Sequence, residues 1–200
     1  HADKLGDPLK KRKPQRIFVC SMGDLFHEDI LSMAQEWIDS LMKTIFRCPQ
    51  HKFLILTKRP ENMKRYFAPS IYEEMPNVWL GVTAENQQRA DERIPVLLSI
   101  PAAGHFVSVE PMLDLVQLRH FMPHNPPLFS ERNNIAPRLD WVIAGAETGP
   151  KKRYCDRIFL DDLAEQCRLD GVPFFGKKDS DGDPIYPRQI PDTLNVEAAQ

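Results

Sequence analysis

Six short apolar runs, each ending in polar residues and most followed by a segment with helical spacing, leave this chain few folds to choose from. Residues 16–19 (RIFV) suit a strand buried on both faces. The run then breaks into Cys20, Ser21, Gly23, Asp24 and His27. Ile30, Met33, Ala34, Trp37, Ile38 and Leu41 follow at spacings of three and four, which predicts a helix over 29–46. The same grammar recurs with strands predicted at 52–56, 77–82, 105–109, 141–144 and 172–175. Helical segments are predicted at 61–66, where Pro60 suits the first turn, and at 86–93. Pro95 is read as restarting a short helix through Leu98, and a last helix over 158–169 ends on Gly171 as its C-cap. Residues 119–138, rich in Pro and Asn, read as a long irregular excursion.

Alternating strands and helices specify a parallel sheet with helices outside it. An open doubly wound sheet and a (β/α) barrel both satisfy that pattern. No G-x-G-x-x-G follows any strand, which argues against the dinucleotide-binding version of the open sheet. Polar residues follow almost every strand instead of clustering at one switch point, which favours a barrel. The expectation is therefore an α/β fold: a partial (β/α) TIM-type barrel of about six units, one domain over residues 1–200. Residues 1–15 read as the end of an upstream element and a linker, and 179–200 as a turn-rich tail.

With 42% hydrophobic residues, a 200-residue chain can bury a sizeable core. A net charge of −2 gives no general attraction to nucleic acid. No apolar run approaches the roughly 18 residues of a membrane span, and the amino terminus has no signal-peptide core, so a cytoplasmic protein is expected. Cys20, Cys48, Cys155 and Cys167 form no C-x-x-C pair and read as reduced structural thiols, with no metal site. Trp37, Trp79 and Trp141 fall in apolar periodic contexts and are expected in the core.

The candidate site is the set of polar residues at strand ends: Ser21, Asp24 and His27; Thr57, Lys58 and Arg59; Thr83 and Glu85; Glu110; Glu147; and Lys177. In a barrel these converge on one mouth and suit a polar or charged small ligand. Each taken singly could equally pair with a neighbour or cap the next helix. His27 is read first as a helix-entry residue beside Glu28 and Asp29, and second as a general base or metal ligand. His120 and His124 have metal-pair spacing, but Pro123 breaks the helix that spacing needs. Asp179, Asp181 and Asp183 lack the glycine and acidic positions of a calcium loop and read as a turn.

The runs FVCSMGDLFHED, FLILTKRPENM, NVWLGVTAENQ, ADERIPVLL, FVSVEPML, LDWVIAGAETGP and GVPFFGK resemble an uncharacterised family of phage and bacterial proteins. That family is distantly similar to radical S-adenosylmethionine enzymes, including spore photoproduct lyase. The resemblance spans roughly residues 3 to 195. It implies a barrel whose mouth faces S-adenosylmethionine and a substrate. It also implies a 4Fe–4S cluster held by a cysteine motif on the loop after the first barrel strand. This sequence lacks such a motif, so S-adenosylmethionine and the cluster are expected only for a longer protein, the cluster-bearing front being absent here.

Three functions remain in competition: a radical enzyme completed by upstream residues, a binding barrel for a nucleotide or partner, and a metal-free lyase or hydrolase using Glu and Lys pairs. The basic stretch at 10–16, with Lys58, Arg59 and residues 151–153, is the one hint of a phosphate-facing surface for nucleic acid. A sheet of six strands would also leave its first edge open, to be covered by an upstream segment, a second copy or the amino-terminal arm, which predicts either a homodimer through that edge or proteolytic loss of a covering segment.

Overall fold

The computed structural model describes residues 4–21, 23–68, 75–123 and 137–196. The strands are β1 (Arg16–Val19), β2 (Lys52–Thr57), β3 (Val78–Thr83), β4 (Gly104–Val109), β5 (Trp141–Ala144) and β6 (Phe174–Gly176). They hydrogen-bond in sequence order, every neighbouring pair parallel. Strands that each pair with the next accumulate their twist in one sense and curl the sheet. The curl is steep enough to bring the rings of Phe18 on β1 and Phe106 on β4 to 6.2 Å between centroids, although two strands lie between them. The fold is an α/β half-barrel of six parallel strands, as the alternation predicted.

The helices are α1 (Glu28–Met33), α2 (Gln35–Phe46), α3 (Pro60–Phe67), α4 (Gln87–Leu98) and α5 (Arg157–Asp170). Alternate strand residues, among them Phe53, Ile55, Val78, Leu80, Val82, Val107 and Val142, join Ile38, Met63, Ile94 and Leu160 of the helices in the main core. The other strand residues line the concave face, where Leu54, Trp79, Phe106, Trp141 and Ile143 form a second core.

Two helix expectations are corrected. The helix expected over 29–46 is split at Ala34, whose φ of −147° leaves the helical range. Glu28 is tied to Arg59 and Asn62, which holds α1 toward α3, whereas α2 turns its own stripe of Ile38, Leu41, Met42 and Ile45 inward. The split leaves Trp37 45% exposed, so of the three tryptophans expected in the core only Trp79 and Trp141 are there. Pro95 does not restart a helix: α4 runs through it. Pro95 and Asp91 both lie on the solvent side, where the carbonyl that loses its N–H partner can be hydrated. Gly171 caps α5 in the left-handed conformation, at φ 68°, as its position after the apolar run suggested. Most of the excursion expected at 119–138, with His124, lies outside the described residues.

Both chain ends fold back on the sheet. Leu5 packs on the main core, and the His51 ring accepts the Gln15 N–H on Nδ1 while its Nε2 faces the Pro8 carbonyl at 3.1 Å, pinning the arm to the start of β2. The turn-rich tail does more than expected. It bridges β6 in the antiparallel sense at Phe175–Arg188, and Gln189 donates its N–H to the Phe174 carbonyl. The Gln189 carbonyl accepts the Trp141 indole N–H, and the Arg188 guanidinium lies 4.9 Å above the Phe175 ring. Beyond it, Leu194 is buried in the concave core with Ile190 packed beside it. The tail thus covers one sheet edge and fills part of the barrel interior. Among the described residues β1 pairs only with β2.

Two glycines shape the concave floor. Gly104 stands in register with Trp79, and Gly81 with Phe106. A Cβ on Gly104 would lie 2.6 Å from the Trp79 indole, and one on Gly81 would lie 2.4 Å from the Phe106 ring. Each ring therefore lies flat over the glycine of the neighbouring strand. Gly81→Val should lower stability by about 1–3 kcal/mol in denaturant unfolding, the usual range for forcing extra atoms into a packed core. Unchanged stability would mean that Phe106 does not rest where the structure places it.

Candidate functional site

The concave face rises in layers set by strand register. Phe18, Leu54 and Trp79 lie lowest; Leu56, Gly81, Phe106 and Trp141 form the next layer. Thr83, Ser108, Ile143 and Phe175 follow at the carboxyl ends of the strands. Ring contacts run from Phe18 through Phe106 and Trp141 to Phe175, at centroid distances of 6.2, 6.0 and 6.2 Å. An aromatic floor thus underlies a polar mouth.

Above it, two carboxylates each meet a lysine from another strand. Lys58 Nζ lies 2.7 Å from Glu85 Oε1, and Lys177 Nζ lies 2.6 Å from Glu110 Oε2. Gly145 stands beneath the second pair: a Cβ there would press on Lys177 Cβ at 3.1 Å and Glu110 Oε1 at 3.4 Å. Glu85 is also held by Arg93 of α4, which donates from Nη1 to Glu85 Oε2 at 2.9 Å and to the Thr83 carbonyl at 2.6 Å. Burial pushes the Glu85 carboxyl up, but the bond from Lys58 and the nearby Arg93 outweigh it and leave it below its ordinary value. Glu147 accepts from Arg153 Nε at 2.7 Å, Nη2 at 2.8 Å and the backbone N–H at 2.8 Å, and the Arg153 side chain drives it down to about 2.

Asp24, Thr57 and Arg59 form a separate knot on the helix side of the sheet, since Thr57 stands in register with core Val82. Asp24 Oδ1 accepts from Thr57 Oγ1 at 2.7 Å and Phe26 N at 3.0 Å; Oδ2 accepts from Lys58 N and Arg59 Nη1, each at 3.0 Å. Burial raises the Asp24 carboxyl, and these four donors more than offset it, so it stays below the usual carboxylate range. The knot fixes the loop that carries Lys58 and is itself closed to a ligand in the mouth. His27 caps α1, its Nδ1 accepting from Asp29 N at 3.3 Å, and Ser21 lies on an exposed turn. Asp179 accepts from the N–H groups of Asp181 and Asp183 and pairs with Arg157, which makes that acidic run a turn.

Of the strand-end residues, then, Lys58, Thr83, Glu85, Glu110 and Lys177 meet at the mouth, and Glu147 stands on the loop after β5. Sequence reasoning missed Ser108, Gly145 and Arg93, and read Arg153 only as part of a basic surface. Strand alternation carries the signal for Ser108, which lies two residues before Glu110 on the same face; the two arginines come from elements that sequence does not place beside the mouth.

The thiols do not fit an iron–sulfur cluster. Cys48, Cys155 and Cys167 are buried in the main core on the helix side, and Cys20 alone is exposed. Burial raises the three core thiols, Cys155 to about 11 and Cys167 to about 12, against the thiolate form that ligates iron. Among the described residues no group of three or more His, Cys, Asp or Glu side chains could hold a metal ion, and no helix is long and apolar enough to cross a membrane. A cavity of about 660 Å³ between α5 and the tail, and one of about 430 Å³ between α1 and α3, lie away from the mouth. In the larger one Asp161 and Glu165 are already paired with Arg157 and Arg168.

Fold and mouth together define an α/β half-barrel with a charged rim over an aromatic floor. The chain belongs to the family described as a protein of unknown function, DUF5131, whose model matches residues 1–183. No curated protein matches it.

Glu147 should titrate near 2 in an NMR titration and return toward 4.5 in Arg153→Met. Because its folded value is depressed, the stability this pair contributes is present above the unfolded carboxyl value and lost as pH falls through about 2. A value near 4.5 in the unaltered protein would show that the ion pair does not form.

Proposed function

We propose that the mouth of this half-barrel binds a nucleoside-type ligand carrying both charges, with S-adenosylmethionine the candidate implied by the resemblance to radical S-adenosylmethionine enzymes. The observation that carries the reading is the twin arrangement of Lys58–Glu85 and Lys177–Glu110 at the carboxyl ends of parallel strands. A ligand with an ammonium and a carboxylate can exchange partners with two such pairs, leaving both of those charges matched. Of the aromatic residues beneath, Phe18 is exposed and Phe175 half-buried, and these offer apolar surface to a base. Because the described thiols do not fit a cluster, the reading assigns this chain ligand binding and leaves reductive cleavage outside it.

The phosphate-surface alternative draws less support. Lys58 and Arg59 are held by Glu85, Asp24 and Glu28, Arg153 by Glu147, and Lys152 donates to the Ser180 carbonyl. A phosphate would have to displace these partners.

Titration calorimetry with S-adenosylmethionine should give saturable binding. Lys177→Met and Glu110→Gln should each weaken it roughly tenfold or more, in line with the loss of one hydrogen bond to a charged group. No heat with S-adenosylmethionine, or affinity indifferent to both substitutions, would sink the proposal.

A further inference from the structure

We infer that Thr83 and Ser108 form a subsite for the vicinal diol of a ribose in the mouth, an assignment that rests on the nucleoside reading above. The two residues are register partners on adjacent strands and share the concave face. Both are more than nine-tenths buried, at 5% and 4% exposure. Their backbones are committed: the Thr83 carbonyl accepts from Arg93 and the Ser108 carbonyl accepts the Ala84 N–H at 3.0 Å. Their hydroxyls are not. Thr44, Thr57, Ser99 and Ser180 all use their hydroxyls within the protein, whereas neither Thr83 Oγ1 nor Ser108 Oγ hydrogen-bonds to any other group. Neither oxygen is sealed off, since no buried side-chain oxygen or nitrogen among the described residues is both enclosed and unpartnered. Two deep, unpartnered hydroxyls held side by side on adjacent strands are placed for a ligand.

The surroundings select the ligand's chemistry. Two residues beyond Thr83 and Ser108, just past the ends of their strands, come Glu85 and Glu110, each with its lysine. Those four charges sum to zero. A free anion there would meet two carboxylates, and a metal cation would meet two ammonium groups. A neutral group that both donates and accepts fits every neighbour: it accepts from the hydroxyls or lysines and donates to the carboxylates. A vicinal diol has that character.

Affinities for adenosine, 2′-deoxyadenosine and inorganic phosphate, measured by calorimetry, test this on the unaltered protein, Ser108→Ala and the double variant Thr83→Val/Ser108→Ala. The unaltered protein should prefer adenosine to 2′-deoxyadenosine by about tenfold or more, because losing the 2′-hydroxyl leaves a buried partner unmatched. The preference should shrink in Ser108→Ala and vanish in the double variant. Neither variant should melt at a lower temperature, since the hydroxyls removed hold nothing within the protein. A preference that survives both substitutions overturns the subsite while leaving the mouth reading intact. So does tighter binding of phosphate than of adenosine, if the double variant abolishes it. If neither nucleoside binds, the mouth reading falls and the subsite with it.

Discussion

Everything on the concave side depends on an exchange of space between β3 and β4. Trp79 covers Gly104, and one layer up Phe106 covers Gly81, so bulk and gap swap strands from one layer to the next. Two large rings are thereby laid along the sheet instead of standing out from it. Were either glycine to carry a side chain, a ring would be driven into the space above and the interior would fill before it reached the strand ends. The layer holding Thr83 and Ser108 rests on one whose rings lie flat.

The remaining interior is filled from an unusual direction. A full barrel closes on itself and packs its centre with residues from its own strands. Here Leu194 and Ile190, past the last strand, enter the concave core after residues 184–189 have run beside β6. Gly176 makes this close approach possible, since a Cβ there would strike Ile185. A segment with no periodicity thus takes on part of the work of missing strands, which is why it read only as a turn-rich tail.

The sheet was legible because its strands are short, apolar and bounded by polar residues, so periodicity and topology agreed. All six were found from sequence, with boundary shifts of one or two residues; β6, at 174–176, starts later than expected. The split at Ala34 and the passage of α4 through Pro95 were not legible, because both depend on tertiary ties and on which side faces solvent. Half of the candidate site could be read from strand ends alone. The division between mouth and helix-side knot could not: Thr57 and Lys58 are adjacent in sequence, and only the register of β2 against β3 sends one toward Asp24 and the other toward Glu85. Arg93 belongs to a helix that looks like an ordinary solvated surface until its guanidinium is seen bonded to the end of β3.

The two borders of the sheet are unlike. β6 is shielded by the returning tail, while among the described residues β1 has a neighbour on one side only. Growth by strand addition therefore has a single starting point. Any second sheet that joins through β1 uses up that border, and if it is another copy of this chain it brings its own shielded β6 to the far end. Were two copies to pair there, a shielded β6 would close the hydrogen-bonding direction at both ends, whereas a sheet with two open borders could go on adding strands.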